Sequence, residues 1–224
     1  MRRKILVVSA HPDDETLGCG GTILRHVAEG EEVHWIVLTR AFEPRWPKKT
    51  VREKAMEIEE VSKAYKMSSV TKLCFPSTSL EKCPLEDIME GLRSTISNVC
   101  PETVYTVHEG DAHTDHQVAF RASLSVLKAF YMREYGVRRI LSFETLSSTD
   151  AAPPRQNTLF VPNVYVDITP FMKRKIEIMR IYKSEMQREP LPRSPTSILA
   201  LGRYRGATIG VKYAEAFALI RETL

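Results

Sequence analysis

Two short stretches of this chain concentrate side chains that bind metals and move protons: His11-Pro12-Asp13-Asp14-Glu15 and His113-Thr114-Asp115-His116. Imidazole nitrogens and carboxylate oxygens are the ligands that Zn²⁺ takes at about 2.0–2.2 Å, and a catalytic zinc keeps one position for water, so three protein ligands are expected. The chemistry such a centre suits is hydrolysis of a resistant bond, because a bound ion lowers the pKa of its water towards about 7. Three of the chain's six histidines fall in these stretches. His26 reads as a helix-surface residue, His34 as a strand-end residue and His108 as a loop neighbour of the site without a role.

Each stretch also has a plainer reading. Asp13 or Asp14 could cap a helix beginning near Glu15, and Thr114 or Asp115 could cap the next one, since acidic and hydroxyl side chains satisfy free helix N–H groups. Either stretch alone fits that reading as well as a metal site. Together they argue for the site, because both follow a buried strand on the same expected edge of a sheet, where ligands gather in open parallel sheets.

The elements that must position them alternate. Residues 4–10 are an apolar run of the kind a strand buried on both faces shows. Residues 15–29 carry Leu17, Ile23, Leu24 and Val27 at helical spacing, stopped by Gly30. Further strands are expected over 33–39, 70–75, 103–107 and 139–143, with helices over 52–67, 85–99 and 115–130. A polar loop (147–156), a strand (163–169), a charged amphipathic helix (173–188) and a Pro-rich break near the site (189–195) follow. The stretch 213–217 reads as a final helix or strand. This order predicts an α/β fold: a Rossmann-like three-layer α/β/α domain with a mostly parallel sheet, a single domain over residues 1–224.

Composition narrows the class without naming a substrate. The chain has 224 residues, 43% hydrophobic and 27% charged, the balance of an ordinary globular protein. A net charge of +4 from 32 basic and 28 acidic residues gives no case for nucleic acid. No apolar run approaches the roughly 20 residues that span a bilayer. The run at residues 5–10 is shorter than a signal-peptide core and is followed at once by charge. Cys19, Cys74, Cys83 and Cys100 form no CxxC pair, which fits a reduced, cytoplasmic setting. Gly18-Cys19-Gly20-Gly21 lacks dinucleotide-site spacing and is expected to allow close helix packing instead.

The segments AHPDDETLGCGGT and HTDHQVA resemble the two signature motifs of the PIG-L/LmbE deacetylase family. The resemblance extends in order through PNVYVDIT, IYKSEMQ, RYRG and YAEAFALI, and so covers nearly the whole chain. It implies an LmbE-like fold and a zinc-dependent N-acetylglucosamine deacetylase, with another divalent ion such as Fe²⁺ as the alternative metal. Carried over by motif position, it places the metal on His11, Asp14 and His116, the general base on Asp13, and an electrostatic or acid role on His113 with Asp115 beside it. Weaker matches suggest substrate contacts at Arg52 and Glu215. Glu185 stands where many members have Gln, which leaves the Tyr182 helix without an assigned role. Arg203 and Arg205 are candidate contacts for a phosphate or nucleotide part of a substrate, though exposed arginines without such a role are commoner.

On this reading Asp13 takes the proton of the attacking water, and Asp115 holds His113 protonated to stabilise the oxyanion. The implied partner is a small-molecule amino-sugar conjugate, and several members assemble as trimers or hexamers, which makes a homo-oligomer an expectation. One rival is an amidase on another N-acyl substrate, a thiol conjugate or an antibiotic precursor. Another is a non-catalytic carbohydrate- or metal-binding protein on the same fold, which fold alone does not exclude. Asp13 and His113, which metal binding does not need, favour the enzyme.

Overall fold

The first apolar run forms β1 (Lys4–Ser9), with every residue after Lys4 buried. It lies inside a seven-stranded sheet, third from one edge. The remaining strands are β2 (Glu32–Arg40), β3 (Ser69–Pro76), β4 (Thr103–Val107), β5 (Arg139–Phe143), β6 (Val164–Asp167) and β7 (Ala214–Glu222), in the spatial order β3-β2-β1-β4-β5-β7-β6. The computed structural model describes residues 2–156 and 158–224. β1 pairs parallel with both β2 and β4, and the parallel order continues to β3 on one side and β5 on the other. The chain therefore winds outward from β1 to β3, returns to β4, and winds the other way. The gap beyond the carboxyl ends of β1 and β4 is the topological switch point, where such sheets bind ligands.

The helices are α1 (Asp14–Ala28), α2 (Lys48–Tyr65), α3 (Leu85–Val99), α4 (Thr114–Val126), α5 (Ala129–Tyr135), α6 (Met172–Met179) and α7 (Pro195–Thr208). α1 packs against α2 and α6, and α3 against α4, as right-handed crossovers on the two faces of the sheet require. Gly18 does what close packing asks of it: a Cβ there would sit 2.0 Å from the Phe143 ring. All four cysteines are free thiols. No helix among the described residues is long and apolar enough to cross a membrane.

Several expected boundaries move. The helix expected over 115–130 ends at Val126, and a separate α5 begins at Ala129. The helix expected over 173–188 stops at Met179. Beyond it the chain turns so that Tyr182, fully buried, can reach the interior under α1. The Pro-rich break is followed by a helix the sequence reading did not contain. Its start is visible in hindsight: Ser194 Oγ accepts from Ser197 N–H at 3.2 Å and Pro195 is the first helical residue, the usual pairing at a helix N-terminus. The last segment is a strand, β7, inserted antiparallel between β5 and β6.

Candidate metal centre and cleft

His11, Asp13 and Asp14 leave the end of β1 together. Asp13 occupies the N-cap of α1 with φ 106° and ψ −28°, a left-handed conformation that costs a non-glycine residue of the order of 1–3 kcal/mol and concentrates at functional sites. Its side chain makes no cap bond. Asp14 instead accepts from the His11 backbone N–H at 2.7 Å. The capping explanation of these acids therefore does not describe their use.

The second stretch reaches the same point from β4. His116 Nε2 lies 3.3 Å from His11 Nδ1 and 3.2 Å from Asp14 Oδ1, and His11 Nδ1 lies 3.7 Å from Asp14 Oδ2. Ligands about 2.0–2.2 Å from a tetrahedral ion stand about 3.3–3.6 Å apart, so these three donors fit one cation. The remaining ring nitrogens support the fit. His116 Nδ1 meets Asp111 Oδ2 at 2.6 Å and His11 Nε2 meets Asp115 Oδ2 at 2.9 Å. This is the carboxylate–histidine arrangement that fixes the tautomer of a metal ligand. Burial opposes charge on His116, but Asp14 and Asp111 outweigh it and raise its pKa to about 10. Burial likewise opposes the Asp14 carboxylate, and the neighbouring His116 and His11 overcome it and lower its pKa. The pocket is built to hold positive charge.

Two other groups could hold an ion by proximity. His11, His113 and Asp115 overlap the first group, while His26, Glu29 and Glu31 lie elsewhere. In the latter, both His26 nitrogens are already engaged, by Glu31 and by the Tyr105 hydroxyl.

Asp115 corrects the expectation built on its neighbour. Its carboxylate makes its hydrogen bonds to His11 and to the backbone N–H groups of Thr78 and Leu80, the latter two at 2.6 and 3.0 Å, and none to the His113 ring. His113 caps α4, its Nδ1 accepting from Asp115 N–H at 3.2 Å. Burial, His11 and His116 push the His113 pKa down to about 4. It is a neutral imidazole with Nε2–H as its donor, not an imidazolium. Asp115→Asn is expected to weaken metal binding by about 10–100-fold, the usual effect of losing a carboxylate behind a ligand histidine. Titration of the metal-free protein with Zn²⁺ against a competing chelator reads this directly.

The cluster opens into a cleft of about 460 Å³, within the range of small-molecule sites. Asp13, Asp14, His113 and His116 line its floor, and Trp46, Val51, Ala55 and Ile58 form an apolar wall. Two acids at and beneath the floor are shifted the same way. Burial, with Asp14 and Glu185 nearby, raises the Asp13 pKa, and Arg193 opposes that rise. Glu15, beneath it and wholly buried, is raised by burial to about 7. Glu15 holds the turn by accepting from Asp13 N–H at 3.1 Å and from the Tyr182 hydroxyl at 2.8 Å.

The sequence reading missed Asp111, Lys54 and Arg193, and gave Glu15 no role beyond its place in the first stretch. A carboxylate within reach of HTDH could have been sought in EGD, which supplies Asp111. Arg193 had no signal beyond the expectation that its loop lies near the site.

Neither expected substrate contact faces the cleft. Arg52 is exposed on α2 and absent from the lining, where Lys54 appears instead. Glu215 is buried, and its carboxylate is saturated. It accepts from Gly21 N–H at 2.8 Å, Thr22 N–H at 2.7 Å, the Thr22 hydroxyl at 2.6 Å and Lys175 Nζ at 2.7 Å. α1 kinks at Cys19, and Glu215 caps its second half while Lys175 Nζ donates to Leu17 O at 2.8 Å. Glu215 is therefore corrected to a brace of this kink. Lys175→Met should destabilise the fold by about 3–5 kcal/mol, because it strands a buried carboxylate, and urea unfolding would show the lower midpoint. Arg205 forms a two-pronged pair with Glu144 at 2.7 and 2.8 Å, and Arg203 is exposed.

Comparison with known proteins agrees with the motifs. The family model described as PIG-L, GlcNAc-PI de-N-acetylase, matches residues 6–127. An uncharacterised deacetylase, YaiS, of Escherichia coli (strain K12) is 28% identical over 152 residues, covering 66% of this chain and 76% of that protein. A probable N-acetyl-alpha-D-glucosaminyl L-malate deacetylase 2 of Bacillus cereus is 23% identical over 198 residues, covering 84% and 86%. Among solved structures, the conserved protein TT1542 from Thermus thermophilus superposes with a TM-score of 0.79 at 28% identity, covering 98% of this chain and 96% of that one.

Proposed function

This chain belongs to the PIG-L family of GlcNAc-PI de-N-acetylases, and from that premise we propose that it hydrolyses the N-acetyl amide of a small N-acetylglucosamine conjugate. The observation that carries the proposal is the meeting of His11, Asp14 and His116 within ion-binding distance, with the Asp13 carboxylate beside them in the same cleft. The two-imidazole, one-carboxylate donor set suits Zn²⁺, with Fe²⁺ the alternative. When bound, such an ion supplies an acidified water and polarises an acyl oxygen.

The protein's own groups do the rest. Asp13 accepts the water proton on its carboxylate as the water oxygen adds to the acyl carbon. His113, neutral and with Nε2–H free, donates to the developing oxyanion. Asp13 then returns the proton to the amine nitrogen as the C–N bond breaks, which gives acetate and a free amino sugar. The amino-sugar assignment is supported by the family description and by the name of the Bacillus cereus relative. A cytoplasmic setting and a trimeric or hexameric assembly belong to the same proposal, and light scattering on the purified protein reads the second.

The test is acetate release from a panel of N-acetylglucosamine conjugates, with and without chelator and with Zn²⁺ restored. Release that stops with chelator and returns with Zn²⁺ is expected. Chelator-insensitive release would overturn the metal mechanism. Release only from thiol-conjugate amides or acylated antibiotic precursors would move the substrate and leave the site assignment standing.

A further inference from the structure

Asp13 and Asp14 are adjacent carboxylates at one centre, yet the proposed reaction needs one as ligand and the other free for proton transfer. We propose that Arg193 enforces this division: it is a positioning residue that holds Asp13 away from the ion and presents one of its oxygens to the water. The proposal rests on the hydrolytic reading above.

Arg193 Nη1 donates to Asp13 Oδ2 at 3.0 Å and to Glu185 Oε2 at 2.6 Å, and the other Glu185 oxygen is paired with Lys54 Nζ. Lys54, Glu185, Arg193 and Asp13 thus alternate in charge along one side of the cleft. Each cation is flanked by a carboxylate. Among the described residues no protein donor bonds to Asp13 Oδ1. One oxygen is tied and the other is left for the proton.

The guanidinium is not a loose surface group. Its loop is closed by Arg193 N–H donating to Gln187 Oε1 at 3.0 Å and Gln187 N–H donating to Arg193 O at 3.2 Å. The next residue, Ser194, is fully buried and starts α7. Arg193 is therefore anchored from its backbone outward, as a group that must hold another in place has to be. A swing of the unpaired Asp13 carboxylate onto the ion would remove the base and close the coordination position that water needs. Lys54 and Glu185 complete the device by holding Arg193 from its far side.

The experiment uses the zinc-loaded full chain with benzyl 2-acetamido-2-deoxy-α-D-glucopyranoside as substrate. Arg193→Ala is expected to lower kcat by about 10–100-fold, the scale of a misplaced reacting group, with KM little changed. Bound zinc should stay at or above the wild-type level, because a freed Asp13 adds a ligand. Added guanidinium at non-denaturing concentration should restore kcat saturably, and Arg193→Lys should fall between the two, since it keeps the charge without the planar guanidinium.

A rise in KM with kcat unchanged would make Arg193 a substrate contact and overturn the proposal. So would a joint fall in zinc content and thermal stability, which marks a structural role. Arginine side-chain ¹⁵N NMR provides an arm that needs no turnover. The Arg193 Nη signals should shift and exchange faster in Asp13→Asn, and unchanged signals would overturn the pairing. If the wild-type protein hydrolysed no conjugate, the hydrolytic reading would fall, while this arm would still decide whether Arg193 holds Asp13.

Discussion

Asp13→Asn is expected to lower kcat by about 10²–10⁴-fold, the usual contribution of a positioned general base, while metal content stays at the wild-type level. The substitution keeps the shape of the side chain, weakens the charge-assisted contact with Arg193, and removes the basicity. The metal group of His11, Asp14 and His116 does not include Asp13, which is why the two properties should separate. KM should stay near its wild-type value, because the carboxylate is assigned to the proton and not to substrate affinity. Steady-state kinetics beside elemental analysis of the same sample checks both. A variant that retained full activity would show that the proton is taken elsewhere.

His116→Ala should have the opposite signature, losing both metal and turnover. His116 is 1% exposed and stands between Asp14 and Asp111, so no surface side chain can take its place. Removing the ion forfeits several kcal/mol of transition-state stabilisation, which at about 1.4 kcal/mol per tenfold is a fall of at least about 10³-fold. Thermal unfolding gives a second readout. Added Zn²⁺ should raise the Tm of the wild-type protein, as a ligand of the native state does, and should leave that of the variant unmoved. A variant that still bound zinc stoichiometrically would remove His116 from the ligand set.

The strands were legible because parallel strands buried on both faces are continuous apolar runs, and β4 and β5 fall on the expected residues. α1 followed from helical spacing stopped by Gly30, and α3 falls on the expected residues 85–99. The end of α6 was not legible, since its amphipathic pattern continues past Met179 while the chain turns to bury Tyr182 under Glu15. That preference belongs to tertiary packing, and no local period records it.

The site divides in the same way. Its floor lies in two contiguous stretches, and the edge they share follows from topology. Asp115 misled because adjacency in sequence suggested His113 as its partner, whereas at the start of α4 the His113 ring caps the Asp115 backbone N–H and the carboxylate bonds to His11. Arg193 comes from 180 positions away in the chain, and only three-dimensional closure brings it to Asp13.

The clasp between Glu215 and the bend at Cys19 ties the first helix to the last strand. A ribosome would deliver every proposed ion ligand about a hundred residues before the group that locks α1 in shape. The nascent chain therefore carries an unlocked α1 for about a hundred residues after the last proposed ligand, with Gly21 and Thr22 N–H groups still seeking an acceptor. Assembly of the centre is thereby coupled to completion of the domain, since early folding of the amino-terminal part leaves this last lock open.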